Sequence, residues 1–162
     1  MKKSVLISIV VAVVLILIII AGVVFTKLNK EKASIDAASF KKTMEEKGYQ
    51  LADAKSQFSE YDYIDKVYLA ADSKYSFQIE FYQLVNDEYA NQFYTTNMTK
   101  FENSKSSTSI ETSVNGKNYS KYTLSSNGKY MVISRINNTA IYVNIDESHK
   151  EEVINLLKEL GY

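Results

Sequence analysis

The chain contains one histidine, His149, one arginine, Arg135, and no cysteine. Those counts limit the chemistry before any element is placed. A serine nucleophile is usually activated by a histidine base, and thiolate metal sites and disulfides both require cysteine. His149 opens a predicted helix, four residues before Val153 on the same stripe, where a partly packed ring is the simpler role. Asp62 and Asp65 lie in a tyrosine-rich connection, with Asp53, Glu60 and Asp72 near them in sequence. Loop oxygens of this kind hold Ca²⁺ in some proteins, but the D-x-D-x-D-G spacing of an EF-hand loop is missing. Solvated loop carboxylates are expected instead. Glu80 and Arg135 fall on separate predicted strands, where a cross-strand ion pair is the expected arrangement. Nothing resembles a phosphate loop, a zinc spacing or a dinucleotide-binding turn. No catalytic residue, metal site or cofactor is assigned, and an enzyme is not expected.

Tyrosine gives a stronger signal, with 13 in the chain. By strand alternation, Tyr68, Tyr82, Tyr119 and Tyr142 each fall opposite the apolar face of their own strand. Tyrosines gathered on an exposed sheet make an amphipathic surface able to stack on sugars or bury in a partner. These four are the candidate binding residues. If they prove to be ordinary sheet surface, the Ser56–Asp65 connection is the next place to look for a site.

The elements that must carry these residues follow from pattern. A helix is predicted from about Asp36 to Lys47, with Ala37, Phe40 and Met44 facing a core and Gly48 ending it. A strand at Tyr49–Ala54 precedes the Ser56–Asp65 connection. A hairpin pairs Val67–Ala71 with Tyr75–Leu84, whose alternation sets Tyr75, Phe77, Ile79 and Phe81 against Ser76, Gln78, Glu80 and Tyr82. A second helix begins near Asn86, with Ala90, Phe93, Asn97 and Phe101 as its stripe. Asn115-Gly116 and Asn127-Gly128 predict two-residue turns with positive φ at both positions, and Asn137-Asn138 a weaker third. The strands they join are Ile110–Val114, Tyr119–Leu124, Tyr130–Ile136 and Ala140–Ile145. Ser148 to Glu151 reads as a capping box opening a last helix, with Val153, Leu156, Leu157 and Leu160 buried and Gly161 as its stop. The fold class is α+β: an antiparallel sheet of roughly six or seven strands with helices packed on one face, the reverse face exposed.

Ahead of this domain, Val5 to Phe25 is 21 residues of uninterrupted apolar character. At ~1.5 Å per residue such a helix spans ~30 Å, the hydrocarbon thickness of a bilayer. The run is longer than the ~7–15 apolar residues of a cleaved signal peptide, and Ala21-Gly22 is followed by Val23, Val24 and Phe25, a poor cleavage site. An uncleaved single-pass anchor is expected, with residues 1–4 as a short basic start, 26–34 as a charged tether and 35–162 as the domain. Lys2 and Lys3 precede the run, and Lys27, Lys30 and Lys32 follow it, so flanking charge is nearly balanced. The Met-Lys-Lys start favours a cytoplasmic N-terminus and an extracytoplasmic domain at the cell membrane. Removing the five Lys and one Glu of residues 1–32 from the chain's 19 basic and 19 acidic residues leaves 14 and 18, a formal charge of −4. That argues against nucleic acid as a partner.

The Lys-Lys start, the single apolar run and the segments Gly48-Tyr49, Ile79-Glu80-Phe81-Tyr82, Ala90-x-x-Phe93 and Asn138-Thr139-Ala140-Ile141-Tyr142-Val143 together resemble small single-pass membrane-anchored proteins of Gram-positive bacteria. The resemblance implies location and little about activity. The expected function is a binding or interaction domain of the cell envelope, its partner another envelope protein or a cell-wall polymer. The alternatives are a carboxylate-dependent hydrolase of cell-wall glycan and a passive accessory subunit of a membrane complex.

Overall fold

In the computed structural model, the described residues are 29–162 together with Val13, Leu17, Ile20, Val24 and Thr26. Val13, Leu17, Ile20 and Val24 are helical and exposed. The remainder of the apolar run Val5–Phe25 lies outside the described residues, and among these no helix is long and apolar enough to cross a membrane.

The domain is α+β. Its elements are α1 (Ala37–Glu46), β1 (Gln50–Asp53), β2 (Ile64–Ala71), β3 (Gln78–Leu84), α2 (Asp87–Glu102), β4 (Ile110–Asn115), β5 (Tyr119–Ser126), β6 (Lys129–Ile136), β7 (Thr139–Asp146) and α3 (Lys150–Glu159). The seven strands form one antiparallel sheet in the order β1-β2-β3-β7-β6-β5-β4. Two meanders, β1–β3 and β4–β7, therefore meet at the β3–β7 pair, and α2 carries the chain across from β3 to the far edge.

Local chemistry sets the element ends. Asp36 caps α1 by accepting the Ser39 N–H at 2.7 Å, and Asn86 caps α2 by accepting the Tyr89 N–H at 3.0 Å. Gly48 and Gly161 stand just past α1 and α3 at φ 81° and 87°. Asn127 and Gly128 both take positive φ, as a type I′ turn demands. Two other expectations fail. Gly116 does not adopt positive φ; a Cβ there would meet the Tyr119 ring at 2.1 Å, so the glycine makes room for that ring. Ser148 caps nothing: Glu147–His149 forms a 3₁₀ turn running into α3, and no side chain bonds its first amides.

The helices do not share one face, which corrects the expected two-layer arrangement. On one side of the sheet, α1 and α3 bring Phe40, Met44, Val153 and Leu157 onto Ile79, Phe81, Val132, Ile141 and Val143. The Phe40 and Phe81 rings stack with centroids 4.5 Å apart. On the other side α2 lies alone. Its Ala90 packs with Val67, Tyr82, Leu84 and Ala140, and its Tyr94 and Phe101 pack with Tyr122, Leu124, Met131 and Ile133. Strands covered on both faces read as continuous apolar runs, and β6 is buried at six of its eight positions. The β2–β3–α2 and β6–β7–α3 stretches thus place their helices on opposite sides of the sheet.

The expected tether is joined to the domain from Glu31 onward. The Asn118 side chain accepts from the Lys32 N–H at 2.9 Å and donates to the Lys32 carbonyl at 2.8 Å. The Lys32 ammonium lies 4.7 Å over the Tyr119 ring, Lys117 pairs with Glu31 at 2.9 Å, and the Ala37 N–H donates to Gln83 Oε1 at 3.0 Å. These contacts gather at the end of the sheet where β5 and β7 begin.

Candidate functional site: an aromatic cleft beside α2

One helix is too narrow to cover a seven-stranded face. Between α2 and the Lys55–Tyr63 segment, over β3 and β7, the single-helix side opens into a cleft of about 490 Å³. Four segments build it. The connection contributes Phe58, Tyr61 and Tyr63; β3 and β7 contribute Glu80, Tyr82 and Tyr142; α2 contributes Tyr89, Gln92, Phe93, Asn97 and Lys100.

Each side chain arrives by simple rules. The 3₁₀ turn Lys55–Phe58 is held by the Lys55 N–H donating to Asp53 Oδ1 at 2.9 Å and by Lys55 Nζ reaching the Phe58 and Tyr61 carbonyls. The Val85 N–H then donates to the Tyr63 carbonyl at 3.0 Å, fixing the connection against the end of β3. Period two puts Glu80 and Tyr82 on the α2 side of β3, with Phe81 on the other. Registry places Tyr142 directly opposite Glu80. On α2, the deep stripe is Ala90, Tyr94, Asn97 and Phe101, so Tyr89, Phe93 and Lys100 lie beside it facing the cleft. Asn97 anchors its own amide by donating to the Phe93 carbonyl at 2.8 Å.

The rings form a connected chain. Tyr89 stacks on Tyr63 with centroids 5.2 Å apart at 17°, and Tyr63 meets Tyr61 edge-on at 5.6 Å. Phe58 contacts Tyr61 at 6.3 Å and Tyr82 at 5.7 Å, and Tyr82 packs on Phe93 at 4.4 Å. Tyr61 and Tyr89, at the lip, are 45% and 37% exposed, while Tyr82 in the floor is buried. The Tyr82 hydroxyl donates to Glu80 Oε2 at 2.5 Å. Burial, and then the Glu80 charge, hold the Tyr82 phenol far above its ordinary pKa, so it stays a donor. Burial raises the Tyr142 phenol too, with Glu80 adding to the shift and a bond from Asn144 opposing it. Glu80 and Tyr142 also line a shallower depression toward Lys129 and Asp146, so the cleft continues along the sheet.

The four tyrosines singled out from sequence do not form one surface. Tyr82 and Tyr142 stand together in the cleft. Tyr68 and Tyr119 are on the opposite side of the sheet, packed into the core under α1 and α3. Tyr82 and Tyr119 are buried and Tyr68 and Tyr142 half-buried, so the flat exposed face is replaced by a cleft. The expected exposure fails because helices lie on both sides of the sheet: Tyr82 and Tyr142 are on the α2 side, and Tyr68 and Tyr119 are under α1 and α3. Tyr61, Tyr63 and Tyr89 line the cleft beyond those four; the first two lie in the Ser56–Asp65 connection, and aromatic density is the sequence signal that marks them.

His149 packs its ring 5.1 Å from Phe77 at the start of α3. Asp62 and Asp65 are exposed, and among the described residues no group of three or more His, Asp or Glu is arranged to hold a metal. Glu80 and Arg135 point to the same side of the sheet two strands apart, but among the described residues no ion pair joins them. Comparison with protein-family models, curated proteins and solved structures found no match to any of them.

Proposed function

We propose that this chain is a single-pass protein of the cell membrane, anchored through Val5 to Phe25, whose extracytoplasmic domain binds cell-wall glycan in the aromatic cleft. The observation that carries the reading is the cleft's lining. Exposed and half-exposed tyrosine faces stand beside the amides of Gln92 and Asn97 and the hydroxyl of Thr96. Flat aromatic surface interleaved with neutral hydrogen-bonding groups suits a polyhydroxylated ring, which offers apolar faces and polar edges. The lining's charged groups are one carboxylate, Glu80, and one ammonium, Lys100, which suits a ligand of little net charge. Binding is favoured over hydrolysis because glycoside cleavage ordinarily uses two carboxyl groups ~5–9.5 Å apart, and Glu80 is the one carboxylate among the cleft's described lining residues.

Two measurements test this. The full chain in detergent micelles is titrated with N-acetylglucosamine oligomers, following tyrosine fluorescence in a chain that has no tryptophan. A saturable change, abolished by Tyr63→Ala with Tyr89→Ala, is expected; no change at millimolar oligomer would sink the glycan reading. Protease added to intact, wall-stripped cells is expected to remove everything beyond Lys32. Complete protection until lysis would place the domain in the cytoplasm.

A further inference from the structure

The two edges of the sheet are unlike. β1 has four residues and runs into the 3₁₀ turn at Lys55. β4 has six, pairs only with β5, and carries neither proline nor lysine, two common edge-protecting residues. Five of its six residues are exposed, Ile110 at 69%. On the side packed by α1 and α3, the strip over β4 and β5 is a trough of about 320 Å³, lined by Ile110, Thr112, Val114 and Thr123, bounded by Tyr130 and Ile154, with Lys121, Ser125 and Lys150 on its far wall. An unpaired edge beside a trough whose near wall is apolar and β-branched is the arrangement used to capture an extended chain as an added strand: backbone bonds give affinity and alternate side chains give selectivity.

We propose that β4 is a docking edge for an extended segment of a partner protein, which joins the sheet as an eighth strand. Alternation states the segment's chemistry. Every second side chain runs beside Ile110, Thr112 and Val114 and must be apolar or β-branched. The intervening ones run beside Glu111, Ser113 and Asn115 and must be polar. Glu111 is already satisfied by Lys105 at 2.5 Å and by the Tyr122 hydroxyl at 2.7 Å, so it imposes no requirement for a cation.

A second copy of this chain is the rival occupant. Two β4 edges meet antiparallel about a two-fold axis along the sheet normal. That operation sends the second copy's Lys32 clamp to the opposite end of the joined sheet. Anchors leaving from opposite ends fit poorly into one bilayer, which favours a different chain; this step rests on the proposed anchoring, while the open edge and trough do not.

The test uses the full chain in micelles and an eight-residue peptide alternating valine and lysine. Binding is expected to slow amide exchange along Ile110–Asn115. A peptide N-methylated at every second residue, with its backbone donors removed on one edge, should bind about tenfold more weakly or worse. Ile110→Lys, at an exposed position, should fold normally and weaken binding. Equal binding by the N-methylated peptide, indifference to Ile110→Lys, or protection in the cleft and not in β4 would overturn the proposal. Concentration-dependent dimers that protect β4 amides without peptide would overturn it in favour of the second copy.

Discussion

The two sides of the sheet are made by the same strands yet differ in kind. Under α1 and α3 the apolar side chains form one continuous cluster that runs from Phe40 to Leu160. Under α2 they form two clusters, bridged by Phe93 and Tyr142, with the cleft opening beside them. Side chains are alike on both; what differs is the number of helices. Two helices close a face, and one leaves a gap whose walls are already aromatic. Adjacent residues make the point: Phe81 stacks on Phe40 in the closed side, while Tyr82 presents its hydroxyl to Glu80 in the open one.

The harshest test of this contrast is alkali. Burial raises the phenols of Tyr82, Tyr122 and Tyr142 on the open side and of Tyr49 and Tyr162 on the closed side above the ordinary value of 10.0, with Tyr122 and Tyr49 reaching about 12. A group whose pKa is higher folded than unfolded adds stability below its unfolded pKa, and that stability is lost as pH rises through the folded value. The domain is therefore expected to hold its full stability up to about pH 10 and to unfold above it, phenolate absorbance rising together with loss of circular dichroism. An early phenolate step without unfolding, removed by Tyr82→Phe, would show that water reaches the cleft floor.

Neighbouring truncations give the next largest effect. Phe81→Ala should cost ~3–5 kcal/mol, since the closed side leaves a dry cavity. Tyr82→Ala should cost roughly half that or less, because its cavity opens into the cleft and fills with water. Chemical denaturation of both variants measures the difference. Equal losses would mean that the open side is packed as tightly as the closed one.

Much of the architecture was legible before any coordinates. Helix starts at Asp36 and Asn86, the stops at Gly48 and Gly161 and the Asn127-Gly128 turn depend on local chemistry that neighbours in sequence supply. Some failures are local, and the rest depend on distant residues. The alternation from Tyr75 to Leu84 predicts one buried face, but the strand starts at Gln78, and Tyr75 sits at φ 55° in the preceding turn, 72% exposed. Asp72 organises that turn by accepting the Phe77 amide and then the Ser76 amide, which lowers its carboxyl pKa to about 2. The continuous apolar runs in β6 and β7 already signalled burial on both faces. Glu80 and Gln78 masked that signal in β3 because they stand where the cleft leaves the sheet uncovered. The cleft itself joins residues near 60, 80, 90 and 142, and no periodicity within one segment reports such a meeting.

The smallest effect on stability is expected where the open side meets solvent, and there function should be most sensitive. Tyr89 caps the ring chain at the lip, stacked on Tyr63 and more than one-third exposed. Its backbone N–H is taken by Asn86, so removing the ring leaves the helix cap intact. The stacked pair contributes about 0.5–1.5 kcal/mol beyond its burial, and solvent at the lip offsets part of its loss. Tyr89→Ala should thus lower stability by about 1 kcal/mol or less. Exposed rings at the mouth of a site are the groups that bury most area when a ligand arrives. The same variant should weaken N-acetylglucosamine oligomer binding about tenfold or more, and Tyr89→Phe, which keeps the ring face, should retain most of it. Thermal melts and fluorescence titrations of the two variants separate the outcomes. If Tyr89→Ala melts like Phe81→Ala, the lip belongs to the core and the contrast between the two sides fails. If it is stable and binds unchanged, the ligand sits deeper, toward Glu80 and Tyr142.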